Sequence, residues 1–230
     1  REDSSGLIVA EISNPQATAA LCLQGAHLMT WQPRSQAVPV VWLSRDAKLA
    51  VGKSIRGGVP VCWPWFGAHA AEASFPGHGY ARTVPWRVVG SGSEPNGATR
   101  LTLRLVESEK TLTQWPHDSR LELTVIVGET LRMELTTENT GTSGFVIGEA
   151  LHTYFRIGDI GAVGVSGLAG CDQVSPEAHR VVDHDRDVED RKPLVDGDRR
   201  SRHLLVAGGD LGQLVEQGVV LQAGGALTVH

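Results

Sequence analysis

The feature that most constrains this chain is a regular alternation of apolar and polar residues with period two. In residues 99–105 (TRLTLRL), leucine fills every second position, and threonine or arginine fills the positions between. The same alternation returns in residues 120–127 and 130–137, which are separated by Gly128-Glu129. Such runs are typical of strands with one buried face, so three in succession predict an antiparallel meander.

The other regular segments are also short and strand-like. The remaining predicted strands are residues 7–12, 17–23, 26–31 and 38–43, followed by two strands within 218–229 around Ala223-Gly224-Gly225. One short helical turn is predicted at 210–217, with Asp210 as its N-cap. Many short strands with almost no helix predict an all-β fold, an antiparallel β-sandwich.

Charge and composition argue against several functional classes. The formal net charge is −5, so no basic surface is expected that would bind nucleic acid or an anionic membrane. No apolar run approaches the ~18 residues that a membrane-spanning helix needs. Three widely spaced cysteines, Cys22, Cys62 and Cys171, indicate reduced thiols and predict a cytoplasmic protein. We expect a monomer whose partner is a small molecule.

A chain of 230 residues is most simply one domain, 1–230, and 41% apolar residues can form a sizeable core. Its abrupt end in an apolar run leaves open a truncated C-terminus. Residues 177–202 are rich in both acidic and basic side chains, which predicts a solvated loop or excursion. Within it, His184, Asp185 and Asp187 match no recognised metal-ligand spacing, so we expect no metal.

Arginine, tryptophan and glycine are concentrated between Ser54 and Arg82. Arg56 precedes two glycines, and Arg82 follows the run 77–79 (GHG). Glycines beside a charged side chain predict an irregular backbone held close to a bulky neighbour. Two guanidiniums in that setting could bind a phosphate or carboxylate, since each offers paired planar donors. Two surface arginines flanking a turn are an equally weighted alternative.

His152 is the best single catalytic candidate. It lies in the apolar and aromatic run 150–155 (ALHTYF), where an ionisable ring needs a reason to be present. Taken alone, these residues favour a core histidine bonded to a backbone carbonyl. Imidazole titrates near neutral pH, however, so a histidine here could also exchange a proton with a substrate.

Together these motifs carry a family resemblance. They are QGAHL (24–28), WLS (42–44), IRGGVPVCWPWFG (55–67), HGYAR (78–82), WPHD (115–118) and ALHTYF (150–155). In this order they resemble the signature of the D-hexose-6-phosphate mutarotases, or glucose-6-phosphate 1-epimerases, a branch of the aldose 1-epimerase superfamily. The resemblance extends from about residue 7 to about residue 170. It implies a galactose mutarotase-like antiparallel β-sandwich, also called a supersandwich.

The resemblance also implies an activity in carbohydrate metabolism. The expected reaction interconverts the α and β anomers of a hexose 6-phosphate, such as glucose 6-phosphate, by acid/base ring opening and re-closure. His152 is implied as the general acid that protonates the ring oxygen, and Arg56 and Arg82 as ligands of the 6-phosphate. No cofactor and no metal are implied, because the chemistry is proton transfer alone.

Several residue assignments stay open. His78 could contact a sugar hydroxyl or brace its own loop. Trp63 and Trp65 could stack on the sugar ring, although we expect at least one of them to belong to the core. The family's substrate-contacting aspartate is placed at Asp198, in a stretch that aligns poorly.

The family's second proton-transfer group, a glutamate on a late strand, has no matching motif in this sequence. Glu149 would face the side of its strand opposite to His152, and Glu216 lies in the predicted helical turn. No general base is therefore assigned. A non-catalytic module that binds a sugar phosphate is the alternative function.

Overall fold

The computed structural model describes Glu2 and residues 5–158, 200–208, 217–221 and 226–229. In chain order the strands are β1 (Val9–Ser13), β2 (Ala17–Cys22), β3 (His27–Pro33), β4 (Val61–Cys62), β5 (Trp86–Ser93), β6 (Thr99–Leu105), β7 (Ser119–Val127), β8 (Thr130–Asn139), β9 (Phe145–Gly148), β10 (Ala150–Leu151), β11 (Thr153–Ile157), β12 (Arg200–Gly208), β13 (Gln217–Leu221) and β14 (Ala226–Val229). A 3-10 helix spans Ala81–Thr83 and helix α1 spans Glu109–Gln114. Neither helix is long or apolar enough to cross a membrane.

The largest sheet has five strands in the order β12-β8-β7-β6-β5, all antiparallel. Its centre is the meander that the period-two runs predict, with Leu103 paired to Leu123 and Leu123 to Leu135. These three side chains are fully buried, because every second position faces the core. The predicted meander is confirmed.

A second sheet, in the order β1-β2-β3, supplies the opposite wall of the same core. The indole of the fully buried Trp31 donates a hydrogen bond to the Gly128 carbonyl, 3.2 Å away, in the turn between β7 and β8. The Asn14 amide donates to the Val127 carbonyl at 2.9 Å. Two sheets packed on one core form the predicted all-β sandwich.

The structure differs from the sequence prediction in several elements. Residues 38–43 form no continuous strand, because their backbone bonds to several partners in turn, including isolated bridges from Val41 to Phe155 and from Leu43 to Gly57. Helix α1 was not predicted, although Ser108 caps it in a capping box with Thr111.

Predictions near the end of the chain have mixed outcomes. The two strands within 218–229 are confirmed, but β13 pairs with β11 and β14 with β9, not with each other. Residues 200–202 begin β12, so the predicted charged loop 177–202 ends earlier than expected. Its residues 177–199 lie outside the described part, as do residues 210–216 of the predicted helical turn, whose residue 217 begins β13.

Trp63 and Gly79 show how closely two backbone segments approach in this fold. They form an isolated parallel bridge, and the Tyr80 amide donates to the Trp63 carbonyl at 3.1 Å. Gly79 has a φ of +72°, and a Cβ atom there would overlap the Trp63 carbonyl. Gly67 also has a positive φ, +78°, but a Cβ atom there would meet no other atom.

These two glycines separate the cost of a clash from the cost of backbone conformation. We expect Gly67→Ala to lower the free energy of unfolding by about 1 kcal/mol, because only the left-handed conformation is penalised. Gly79→Ala adds the overlap with Trp63, so we expect a loss of at least about 3 kcal/mol. Urea unfolding followed by tryptophan fluorescence measures both. Equal losses would show that the close approach at Gly79 costs nothing.

Candidate active site

A closed ring of three backbone hydrogen bonds joins segments that are far apart in the sequence. The Trp42 amide donates to the Tyr154 carbonyl at 2.9 Å, the Tyr154 amide to the Gly58 carbonyl at 2.9 Å, and the Gly58 amide to the Trp42 carbonyl at 2.6 Å. The ring fixes strand β11 against the glycine-containing loop that follows Arg56. It thereby fixes the backbone positions from which the candidate catalytic and binding side chains extend.

His27 packs beneath the same loop. The ring is fully buried, and its Nε2–H donates to the Gly57 carbonyl at 2.9 Å. A Cβ atom at Gly58 would overlap the His27 ring, which explains why glycine occupies this position. Nδ1 of His27 is buried without a hydrogen-bond partner in the described residues. Burial lowers the pKa of His27 to about 4, so the ring is neutral at physiological pH.

His78 does brace its loop, as one of the two open interpretations proposed. The Gly67 amide donates to Nδ1 of His78 at 3.2 Å, and the His78 amide donates to the Gly67 carbonyl at 2.6 Å. Since Nδ1 accepts a hydrogen bond, the neutral ring carries its proton on Nε2. Burial and the charge of Arg82 lower the pKa of His78. The Nε2–H group remains available as a donor.

His152 is half-buried among aromatic rings. The centre of its ring lies 6.0 Å from that of His78, 6.2 Å from that of Phe66 and 5.1 Å from that of Tyr154. Its backbone amide donates to the Pro60 carbonyl at 3.0 Å, which ties it to the segment after Arg56. Burial lowers the pKa of His152, and repulsion from His78, when that ring is protonated, and from the charge of Arg82 lowers it further.

The positive charge of Arg82 acts on most of the ionisable groups in this region. Its Nη2 donates to the Gly77 carbonyl at 2.7 Å, and its buried Nε has no hydrogen-bond partner within the described ranges. Its charge influences the pKa of five nearby groups: His27, Cys62, His78, His152 and Tyr154.

The side chain of Arg56 is exposed, and its carbonyl accepts a hydrogen bond from the Ser44 amide at 3.2 Å. Burial raises the pKa of Tyr154, and the charges of Arg82 and Arg56 both oppose that increase. Both guanidiniums therefore act on the same phenol. The structure thus brings four predicted residues into one region: Arg56, His78, Arg82 and His152.

The two arginines differ from those on the large sheet in their ion pairing. Four arginines of that sheet, three exposed and Arg104 half-buried, each pair with a glutamate: Arg100 with Glu94, Arg104 with Glu122, Arg120 with Glu138, and Arg132 with Glu134. No carboxylate of the described residues forms an ion pair with Arg56 or Arg82. Both guanidiniums are therefore available to an anionic ligand.

The remaining candidates lie elsewhere. Trp63 is a core residue, 1% exposed, as expected for one of the two tryptophans. Trp65 is half-buried, and its indole donates to the Pro76 carbonyl at 3.0 Å. The carboxylate of the buried Glu149 accepts a hydrogen bond from Thr137 at 2.9 Å, so it is engaged in the core. Asp198 and Glu216 lie outside the described residues.

A model of the aldose 1-epimerase family matches residues 9–211, which is most of this chain. The chain belongs to the aldose 1-epimerase family. Two curated relatives, from Escherichia coli (strain K12) and Salmonella typhimurium, are 44% and 43% identical to it over 166 residues. Each match covers 72% of this chain and 53% of the relative, so the chain spans about half the length of the curated relatives it matches. Both relatives carry glucose-6-phosphate 1-epimerase as a provisional name.

Solved structures place this aldose 1-epimerase family member in the same fold. It resembles YeaD of Salmonella typhimurium, provisionally described as a mutarotase, with a TM-score of 0.65 at 41% identity, over 71% of this chain and 53% of YeaD. A galactose mutarotase-related enzyme of Lactobacillus acidophilus matches with a TM-score of 0.54 at 15% identity, over 68% of this chain and 52% of its own. The latter likeness shows the fold alone. The predicted galactose mutarotase-like fold is confirmed.

Two residues of this family member's site were not identified from the sequence. His27 stands in the QGAHL motif, but only the folded chain reveals its contact with Gly57. Tyr154 could have been found, since it lies two positions after His152 and a strand directs alternate residues to one face. Neither residue was assigned a role by spacing alone.

His27 makes the stability of the protein depend on pH. Unfolded histidine binds a proton near pH 6.5, whereas folded His27 binds one only near pH 4. Its contribution is therefore complete above pH 6.5 and is lost as the pH falls toward 4, by about 3 kcal/mol. We expect His27→Gln to unfold more easily at pH 7 but to lose less stability between pH 7 and pH 4. Parallel pH profiles from urea unfolding would contradict this expectation.

Proposed function

We propose that this protein interconverts the α and β anomers of a hexose 6-phosphate such as glucose 6-phosphate. The observation that carries the proposal is the half-buried His152, whose pKa the charge of Arg82 lowers and whose ring packs against Tyr154, on which both Arg82 and Arg56 act. Neither arginine pairs with a carboxylate of the described residues. An imidazole can exchange the proton of a sugar ring oxygen, and guanidiniums can bind the phosphate. The names of the relatives support the same substrate class.

In this mechanism His152 protonates the ring oxygen while the anomeric hydroxyl loses its proton. The ring opens, C1 rotates about its bond to C2, and the ring closes on the other face of the carbonyl. The acid of ring opening becomes the base of re-closure by microscopic reversibility. Phe66 and Tyr154 flank the His152 ring and limit the access of water. The group that deprotonates O1 stays unassigned, since Glu149 is engaged by Thr137.

Substrate selection follows from the two arginines. Charge-assisted hydrogen bonds from Arg56 and Arg82 to a phosphate dianion would contribute roughly 1.5–3 kcal/mol each. His78 would offer its Nε2–H to a sugar hydroxyl, and Asp198 is kept as a substrate contact on the family resemblance. No cofactor is required for proton transfer. Free thiols at Cys22 and Cys62 support a cytoplasmic location, and we propose a monomer.

Catalysis by His152 is tested with the variant His152→Gln, which keeps a polar side chain but cannot exchange the proton. We expect anomer exchange of glucose 6-phosphate to fall by at least about 100-fold, while sugar-phosphate affinity changes little. Exchange spectroscopy by NMR measures turnover, and calorimetry measures binding. Full exchange in the variant would exclude His152 as the acid. Binding without exchange in the wild-type protein would instead favour the non-catalytic binding module.

Phosphate recognition is tested with Arg56→Ala and Arg82→Ala. Each change removes a charge-assisted contact, so we expect kcat/KM for glucose 6-phosphate to fall by more than about tenfold. Exchange of unphosphorylated glucose should change far less. Arg132→Ala, on the large sheet, is the matched control, because its guanidinium already pairs with Glu134. Equal losses for both sugars would show that neither arginine binds the phosphate.

A further inference from the structure

Strand β11 continues the site beyond His152. The Thr153 and Ile157 side chains are buried in the core, whereas His152 and Tyr154 are half-buried on the other face. Successive residues on one face of a strand are about 6–7 Å apart. The Tyr154 phenol is therefore the next side chain that a ligand bound at His152 would meet along this face.

Backbone hydrogen bonds and ring contacts hold Tyr154 in place. Its backbone bonds on both sides, to Trp42 and to Gly58, within the closed ring of hydrogen bonds. The phenol packs between the rings of His152, at 5.1 Å, and Trp42, at 6.0 Å. No described residue forms a hydrogen bond with its hydroxyl. The fold thus holds a rigid phenol with an unused donor beside the candidate catalytic histidine.

The charges around this phenol indicate which ligand it would meet. Among the groups with a shifted pKa, Tyr154 is the one on which both Arg82 and Arg56 act. Arg156 lies at the next alternate position on the same strand face, and Arg82 and Arg56 are the two arginines whose charges lower the pKa of Tyr154. Burial raises the pKa of Tyr154, so the hydroxyl keeps its proton at neutral pH and can donate it to an anion.

We propose that Tyr154 is a further substrate-binding residue, whose hydroxyl donates a hydrogen bond to the phosphate held between Arg56 and Arg82. This inference rests on the proposed function and fixes the orientation of the sugar. With the ring oxygen at His152, the C5–C6–O6 arm runs along β11 toward Tyr154. That arm has a reach comparable to the spacing of the two side chains, and the anomeric carbon then points away from Tyr154.

The test removes only the hydroxyl. In Tyr154→Phe the ring keeps its packing against Trp42 and His152, so folding should be preserved. We expect KM for glucose 6-phosphate to rise about tenfold, as for the loss of a hydrogen bond to a charged group, with kcat reduced less than about twofold. The inhibition constant of inorganic phosphate should rise by a similar factor. Exchange of unphosphorylated glucose should not change.

The chain provides a matched control in Tyr80, its other tyrosine. Tyr80 is buried, its ring contacts Trp63, and neither arginine is among the charges that shift its pKa. We expect Tyr80→Phe to leave the ratio of KM values for glucose 6-phosphate and glucose unchanged. A shift of that ratio in Tyr80→Phe equal to that in Tyr154→Phe would overturn the proposal.

Calorimetry separates this inference from the proposed function. If the wild-type protein binds glucose 6-phosphate without exchanging its anomers, the proposed activity fails. About tenfold weaker binding by Tyr154→Phe would still support the hydrogen bond to phosphate. If Tyr154→Phe binds glucose 6-phosphate and inorganic phosphate as tightly as the wild-type protein does, the inference is overturned, whatever the rate of exchange. Absence of any binding by the wild-type protein would overturn both.

Discussion

The site depends on the closed ring of backbone hydrogen bonds among Trp42, Gly58 and Tyr154. Each hydrogen bond contributes only about 1 kcal/mol net to the free energy of folding. A buried backbone group left unpaired costs more, so the three segments stay together or separate together. Gly58 has a φ of +70°, and His27 fills the space that a Cβ atom would need. Gly58 and the neutral His27 ring therefore pack together, and this packing fixes the loop that begins at Arg56.

The same packing holds the positively charged Arg82 close to three uncharged histidine rings. His27, His78 and His152 all have lowered pKa values, first because burial disfavours their charged forms and then because Arg82 adds repulsion. A carboxylate near Arg82 would relieve that repulsion, as glutamates do for the arginines of the large sheet. None of the described residues supplies one there. The cluster is therefore electrostatically incomplete until an anion binds.

The sequence predicted what depends on local pattern and missed what depends on pairing between distant segments. The period-two runs predicted the three strands of the meander within two residues of their observed ends. They could do so because the alternation of apolar and polar residues directly reflects the burial of one strand face. The partners of β13 and β14 could not be predicted, because long-range pairing leaves no local signal. Motifs in the sequence predicted His152 and the two arginines as candidate site residues. Tyr154 became a candidate only because the folded chain places charged residues of other segments near it.

Bound phosphate would alter the acid itself, if the sugar lies as proposed. A dianion between Arg56 and Arg82 would offset the repulsion from Arg82 that lowers the pKa of His152. This effect favours the protonated imidazole that ring opening needs. The phosphate would then do more than anchor the substrate, because the free histidine is neutral and an unphosphorylated sugar would bind beside the weaker proton donor.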